Sequence, residues 1–240
     1  MRYPRLLSLS RKVVFGILAL TTFGISFVQA ADGEQLLKES CSNCHQINTP
    51  DRASLTLQEK MTRKGPPLYF AGHKYQQPWL ENWLQHPTKI TPAGGGFWVN
   101  AVVVTDEGDE IDETKLTRHV AVSQEQAKAI ATFLMTLKPY PELINEGEYT
   151  AKKIPRMLAA KDFRKFKGCV ACHRDEKDFG GVTGPELYTA MQRLKPEYIA
   201  SYIRNPTAWE PRSLMPNNHL NDAPIYKLMN YLNIIGGDLP

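Results

Sequence analysis

Apolar residues recur along this chain at helical spacing, in segments separated by long polar and proline-rich stretches. Helical periodicity predicts a helix over Gly33–Cys44 and another over Lys161–Cys172, the second with Phe163 and Phe166 at helical spacing. Pro78–Gln85 and Pro196–Arg204 read as short helices that stop before Pro87 and Pro206, because the residue preceding a proline is pushed out of the helical region. Ser123–Leu137 opens with Ser123 at the N-cap and Gln126 three residues on, the pattern of a capping box, and Asp222–Ile235 is its counterpart. One stretch breaks the helical rule: Val102-Val103-Val104 runs into acidic Thr105–Glu110 around a Glu-Gly-Asp turn, which predicts a β-hairpin inside Phe97–Arg118. The expected fold class is therefore all-α, with long loops and one hairpin.

The N-terminus follows a different rule. Arg2–Lys12 is basic, Val13–Val28 is almost wholly apolar, and Val28-Gln29-Ala30 places small residues where a signal peptidase reads, so residues 1–30 are expected to be a signal peptide cleaved after Ala30. Sixteen apolar residues are short for a span of about 20, so a retained anchor is the weaker expectation. Export would place the protein in the periplasm. The formal charge of +4 comes from this leader, since the remaining chain carries 25 basic and 25 acidic residues. A neutral chain argues against nucleic acid as a partner, because phosphate binding draws on a surplus of Lys and Arg. A mean hydropathy of -0.38 argues against stable membrane insertion once the leader is removed.

In an oxidising compartment four cysteines would ordinarily suggest two disulfides. Here they stand as Cys41-Ser42-Asn43-Cys44-His45 and Cys169-Val170-Ala171-Cys172-His173, with none left over. A thioredoxin-like pair or a zinc site can use Cys-x-x-Cys, but neither requires a histidine after each pair. Cys-x-x-Cys-His is the attachment signature of c-type haem. Cysteines three apart share one helical face and can bond both vinyl groups of one porphyrin, while the adjacent histidine turns onto the iron.

The chain also repeats itself. Gly65-Pro66-Pro67-Leu68-Tyr69 recurs as Gly184-Pro185-Glu186-Leu187-Tyr188, an offset of 119 residues. The same offset carries Trp79 onto Tyr198, Trp83 onto Tyr202, Pro87 onto Pro206 and Pro92 onto Pro211. Twenty residues separate His45 from Gly65 but eleven separate His173 from Gly184, so the first half carries a nine-residue insertion around Ile47–Lys64. The proline-bearing stretch Lys138–Gly147 reads as the join, giving a first domain at 31–140, a linker at 141–147 and a second domain at 148–240.

Each half resembles a class I cytochrome c domain, so the chain resembles a di-haem cytochrome c over nearly all of its mature length. The resemblance implies helices wrapped around two covalently attached haem c groups, held by Cys41, Cys44 and His45 and by Cys169, Cys172 and His173. It implies that the carbonyls of Pro66 and Pro185 receive the proximal imidazole protons, a bond that orients the ligand. In the second half, Asn205–Pro216 is similar to the family's distal loop, and Met215 would be the sixth ligand of the second iron. Trp209 and Arg212 fall where the family often contacts a haem propionate, although packing or a solvated charge explains them equally well.

The first half departs from that pattern. The offset from Met215 lands on Gly96, so the thioether is missing. His119, just after the insertion and before the last helix, is the expected replacement. His73, His86, Met61, Met135 and an open iron are the alternatives, and His219 reads as a loop histidine. Because His/Met ligation raises haem potential, a His119-ligated first haem should lie below the second, with electrons entering at the first and leaving at the second.

Charge is divided between the halves as 11 basic and 14 acidic residues up to Asn145, then 14 and 11. Lys152, Lys153, Arg156, Lys161, Arg164, Lys165 and Lys167 crowd the approach to the second motif, either as a solvated face or as a dock for an acidic redox partner. The leading expectation is a periplasmic electron-transfer protein working between redox partners, as a soluble carrier or as the cytochrome subunit of an oxidoreductase complex. The alternative is a haem enzyme using the first haem on peroxide or a small sulfur or nitrogen compound. Against it, no further acid, base or nucleophile constellation is identifiable, so a catalytic role is the less expected. A haem-based sensor would need an output domain, and the sequence shows none.

Overall fold

The computed structural model describes residues 32–95 and 101–237. The expected signal peptide, Gly96 and the start of the Phe97–Arg118 insertion lie outside the described residues. The helices are α1 (32–40), α2 (Leu57–Thr62), α3 (Ala71–Lys74), α4 (Gln77–Gln85), α5 (Gln124–Leu134), α6 (Arg156–Lys161), α7 (Ala190–Arg193), α8 (Pro196–Arg204), α9 (Pro206–Trp209) and α10 (Asp222–Gly237). The chain is mostly helical. Strand β1 (Val102–Thr105) pairs antiparallel with β2 (Gly108–Ile111), and β3 (Arg174–Glu176) with β4 (Phe179–Gly180).

The mostly helical fold expected from the sequence is present, with two local departures. The β3–β4 pair was not foreseen, and it forms because the short loop after His173 must double back at once: Gly180 takes a positive φ of 114°, which glycine tolerates. Lys161–Cys172 is not one helix. Helix α6 ends at Lys161, widens into a π turn over Asp162–Phe166, and resumes as a 3-10 turn at Cys169–Ala171. The Ile47–Lys64 insertion contains α2, whose capping box joins Thr56 and Glu59. The box expected at Ser123 and Gln126 is present, with each residue accepting from the other's backbone.

Two hydrophobic cores flank a third cluster. In the first half Leu37, Leu80, Leu84, Ile130 and Leu134 are buried, and α5 approaches α1 closely because Gly33 faces the Ala129 carbonyl, where a Cβ could not fit. In the second half Ile225, Leu228, Leu232 and Ile235 form the buried stripe of α10 against Phe163 and Ile199. Between them lie Tyr69, Phe70, Tyr198 and Trp209, with Tyr140, Leu143 and Ile144 from the expected linker packed against them. Each fully buried large apolar side chain contributes on the order of 1.5–3 kcal/mol. The join is thus part of the packed structure.

The halves meet through a reciprocal exchange. The Gln76 N–H donates to the Arg193 carbonyl at 2.8 Å and the Lys195 N–H to the Lys74 carbonyl at 2.9 Å, around a bridge between Tyr75 and Leu194. Side chains repeat the exchange: Gln76 Nε2 donates to the Met191 carbonyl at 2.8 Å, and Lys195 Nζ to the Gly72 carbonyl at 2.6 Å. Every residue in these pairs has its counterpart 119 positions away.

Helix α2 adds a clamp. Lys60 Nζ and Arg63 Nη2 reach Glu210 Oε2 at 2.7 and 2.8 Å, and only 14% of the Glu210 side chain is exposed. Burial alone would raise its pKa, but the two cations outweigh burial and hold it at about 2, below the usual 4.5. A depressed carboxylate pKa stabilises the fold above pH 4.5, and that contribution is lost as the pH falls toward 2. Glu210→Gln is expected to cost about 2–3 kcal/mol at neutral pH, between the values for exposed and buried pairs. Thermal unfolding of both proteins between pH 7 and pH 2 should show the difference shrinking below about pH 4.5.

Candidate functional site

Both Cys-x-x-Cys-His segments fold by the same local bonds. After α1 the Cys44 and His45 amides donate to the Cys41 carbonyl, each at 3.0 Å, and the Cys172 and His173 amides donate to the Cys169 carbonyl at 3.2 and 3.1 Å. One tight turn thus sets two thiols and an imidazole close together in each half. All four cysteines are free. Burial pushes the Cys41 thiol up and the Cys169 thiol up to about 11. Among the described residues no group of three or more His, Cys, Asp or Glu side chains is gathered as a metal cluster.

The imidazoles are fixed in matching ways. His45 Nδ1–H donates to the Pro66 carbonyl at 2.8 Å, and His173 Nδ1–H to the Pro185 carbonyl at 2.7 Å. The preceding glycine forms the floor under each ring: a Cβ on Gly65 would stand 2.5 Å from His45 Cε1, and one on Gly184 2.6 Å from His173 Cε1. Leu68 and Leu187 then return their amides to the carbonyls of Gln46 and Arg174, both at 2.8 Å, so loops of different length close on one frame. Burial pulls both imidazoles below the usual histidine range despite the carbonyl bond, and a neutral imidazole is the form that ligates a metal. With Nδ1 occupied, Nε2 is left to present.

His119 faces His45. Their ring centres are 6.0 Å apart, and the His119 Nδ1–H donates to the Val120 carbonyl at 2.8 Å, leaving its Nε2 free of that bond. An imidazole nitrogen ligates a transition metal at about 2 Å, so two rings on opposite sides of one ion have centres roughly 6 Å apart. Of the alternatives, Met61 lies on α2, which lines the same cavity as Cys44 and His45, and the others are placed otherwise. His73 lies against Trp209, with ring centres 5.7 Å apart, in the cluster between the halves. His86 caps the end of α4 with its amide, and Met135 caps the end of α5 and packs on the first core. His219 takes a left-handed φ of 50° in a loop.

In the second half Met215 is half-buried, and its amide donates to Ser213 Oγ at 3.3 Å. Trp209 is fully buried and spends its indole N–H on Ser201 Oγ at 2.9 Å, while Arg212 Nε donates to the Leu55 carbonyl at 2.7 Å. Both therefore lean on the first half: the Trp209 carbonyl accepts from Tyr69, and Arg212 lines a cavity of about 430 Å³ beside Cys44 and His45. The geometry thus puts Arg212 beside the first Cys-x-x-Cys-His segment and gives Trp209 a packing role. Sequence reasoning missed the glycine floors and the Glu210 clamp; the repeated Gly-Pro pair was the signal for the former.

Residues 30–138 match the family model of cytochrome c. No curated protein and no solved structure matches the chain. The match covers α1 through α5, with His45 and His119 inside it, and gives that span a cytochrome c domain with the covalent haem c and electron transport that the family implies. The residues present fit such a group: paired free thiols, a neutral imidazole pinned at Nδ1, and a glycine floor. Gly65→Ala should displace His45, costing about 1–3 kcal/mol by overpacking and broadening the haem absorption bands. Gly237→Ala, where an added Cβ meets nothing within 4 Å, should change neither, as read by denaturant unfolding followed through haem absorption.

Proposed function

We propose that this chain is a di-haem c-type cytochrome of the periplasm that passes electrons between redox proteins. Two cytochrome c domains, 31–140 and 148–240, are joined through 141–147. The observation that carries the reading is the doubled site: each half has the same Cys-x-x-Cys-His turn, the same imidazole-to-proline carbonyl bond and the same glycine floor. Haem c supplies one-electron chemistry at its iron. The chain's part is to hold it, through Cys41, Cys44 and His45 in one half and Cys169, Cys172 and His173 in the other. His119 is the second axial residue of the first site. Met215 serves the second, on the strength of its Met-Pro motif.

The approach of His119 to His45 favours transfer over catalysis, because a group held by both histidines would have that place taken and not open to a substrate. Two nitrogen ligands also place the first site at the lower potential. On the second half, exposed Lys152, Lys153, Lys161 and Lys165 share a stretch with Met157, Leu158 and Phe166, which are 80%, 57% and 64% exposed. Apolar side chains among cations suit an acidic redox partner, whose approach the charge would steer. Export rests on the basic and apolar leader.

The oxidised protein should give two low-spin EPR signals, and His119→Ala should turn one of them high-spin. A high-spin iron in the unmutated protein would overturn the reading in favour of an enzyme. Redox titration of the two proteins should assign the lower potential to the signal that His119→Ala removes. Raising salt from 50 to 500 mM should slow reduction or oxidation by an acidic partner at least tenfold, as measured by stopped flow.

A further inference from the structure

His119 sits on an exposed stretch, and little of what holds it aims its ring. The Val122 amide anchors the stretch to the Leu84 carbonyl at 3.1 Å, and the His119 Nδ1 bond goes to the very next residue. Neither contact determines where the ring lies relative to His45. Trp83 does make contact with the ring: its centre lies 4.5 Å from that of His119, with the planes tilted by 59°.

Trp83 is itself fixed from two sides. Its indole N–H donates to the Thr88 carbonyl at 3.1 Å, and behind it Trp79 stacks at 5.7 Å and Tyr75 stacks on Trp79 at 5.8 Å. Residues four apart share a helix face, so Trp79 and Trp83 line one side of α4, and Tyr75, in extended backbone two residues before the helix, continues the aromatic column. Leu80 and Leu84 are buried in the first core and prevent the helix from rolling. The foot of the column, Tyr75, is 9% exposed and forms the bridge to Leu194. Position 202, the counterpart of 83, also touches the ligand segment of its own half: Tyr202 Oη and Ser213 Oγ are hydrogen-bonded at 3.2 Å, and Ser213 accepts the Met215 amide.

We propose that Trp83 is a positioning residue that holds the His119 imidazole opposite His45, standing on a column rooted in the contact between the halves. The proposal rests on His119 being the second axial residue. Without the indole, the stretch carrying His119 keeps its backbone anchor but its ring swings away, and the first site becomes intermittently open.

The test uses the full two-haem protein with Trp83→Leu, Trp83→Phe and His119→Ala. Expected for Trp83→Leu is a mixture of low- and high-spin signals at the first site and at least tenfold more carbon monoxide binding after reduction, with the second site unchanged. Trp83→Phe, which keeps a ring, should recover most of the low-spin signal. If both Trp83 variants match the parent in spin state and carbon monoxide binding while His119→Ala turns high-spin, the positioning role is overturned and the ligand assignment stands. If His119→Ala leaves the spectrum unchanged, the ligand assignment itself falls and takes this proposal with it.

Discussion

An imidazole can present one nitrogen to a metal with precision only if the other nitrogen is tied and the ring plane is walled. The bond from His45 to the Pro66 carbonyl and its twin from His173 to Pro185 supply the tie, and Gly65 and Gly184 supply the wall. Much else follows from that constraint. Proline contributes a carbonyl in a rigid turn without an N–H of its own to satisfy. The Leu68 and Leu187 amides close each frame, so the chain between histidine and glycine is free to vary in length. In one half that freedom holds a cramped hairpin, and in the other it holds a helix.

That extra helix links the two sites. Lys60 and Arg63 come from the half with net negative charge, and Glu210 from the half with net positive charge, so each half contributes its minority sign to the clamp. The clamp, the aromatic cluster around Trp209 and the exchange at residues 74–76 and 193–195 lie along one contact. Movement of one half against the other would have to break an ion pair with little exposure and unstack buried rings together, which favours a fixed relation between the two histidine frames.

The parts of this architecture visible in sequence were those with short-range causes. Caps and prolines placed α4, α5 and α8 within a residue or two at their starts, because an N-cap hydroxyl or a proline ring acts on its immediate neighbours. The Cys-x-x-Cys-His turns and the Gly-Pro pairs were legible for the same reason. The π turn at Asp162–Phe166 was not, since it depends on how α6 meets α10. Nor was the meeting of Trp83 with His119, two residues 36 apart in sequence that are joined only by packing. For Trp209 the sequence left a propionate contact and simple packing open, and its neighbours in space, Phe70 at the start of α3 and Tyr198 on α8, are likewise brought to it only by packing.

The exchange between Gln76 and Arg193 and between Lys195 and Lys74 has the form of an isologous interface, in which one surface meets its own copy across a two-fold axis. In a dimer of identical subunits every substitution at such a surface appears on both sides at once, so neither side can specialise. Within a single chain that coupling is gone, and the two sides have already parted: the donor to the opposing carbonyl is a neutral amide at Gln76 and an ammonium at Lys195. A contact built within one chain is thus addressable, and the surroundings of one histidine frame can drift through mutation while those of the other stay as they were.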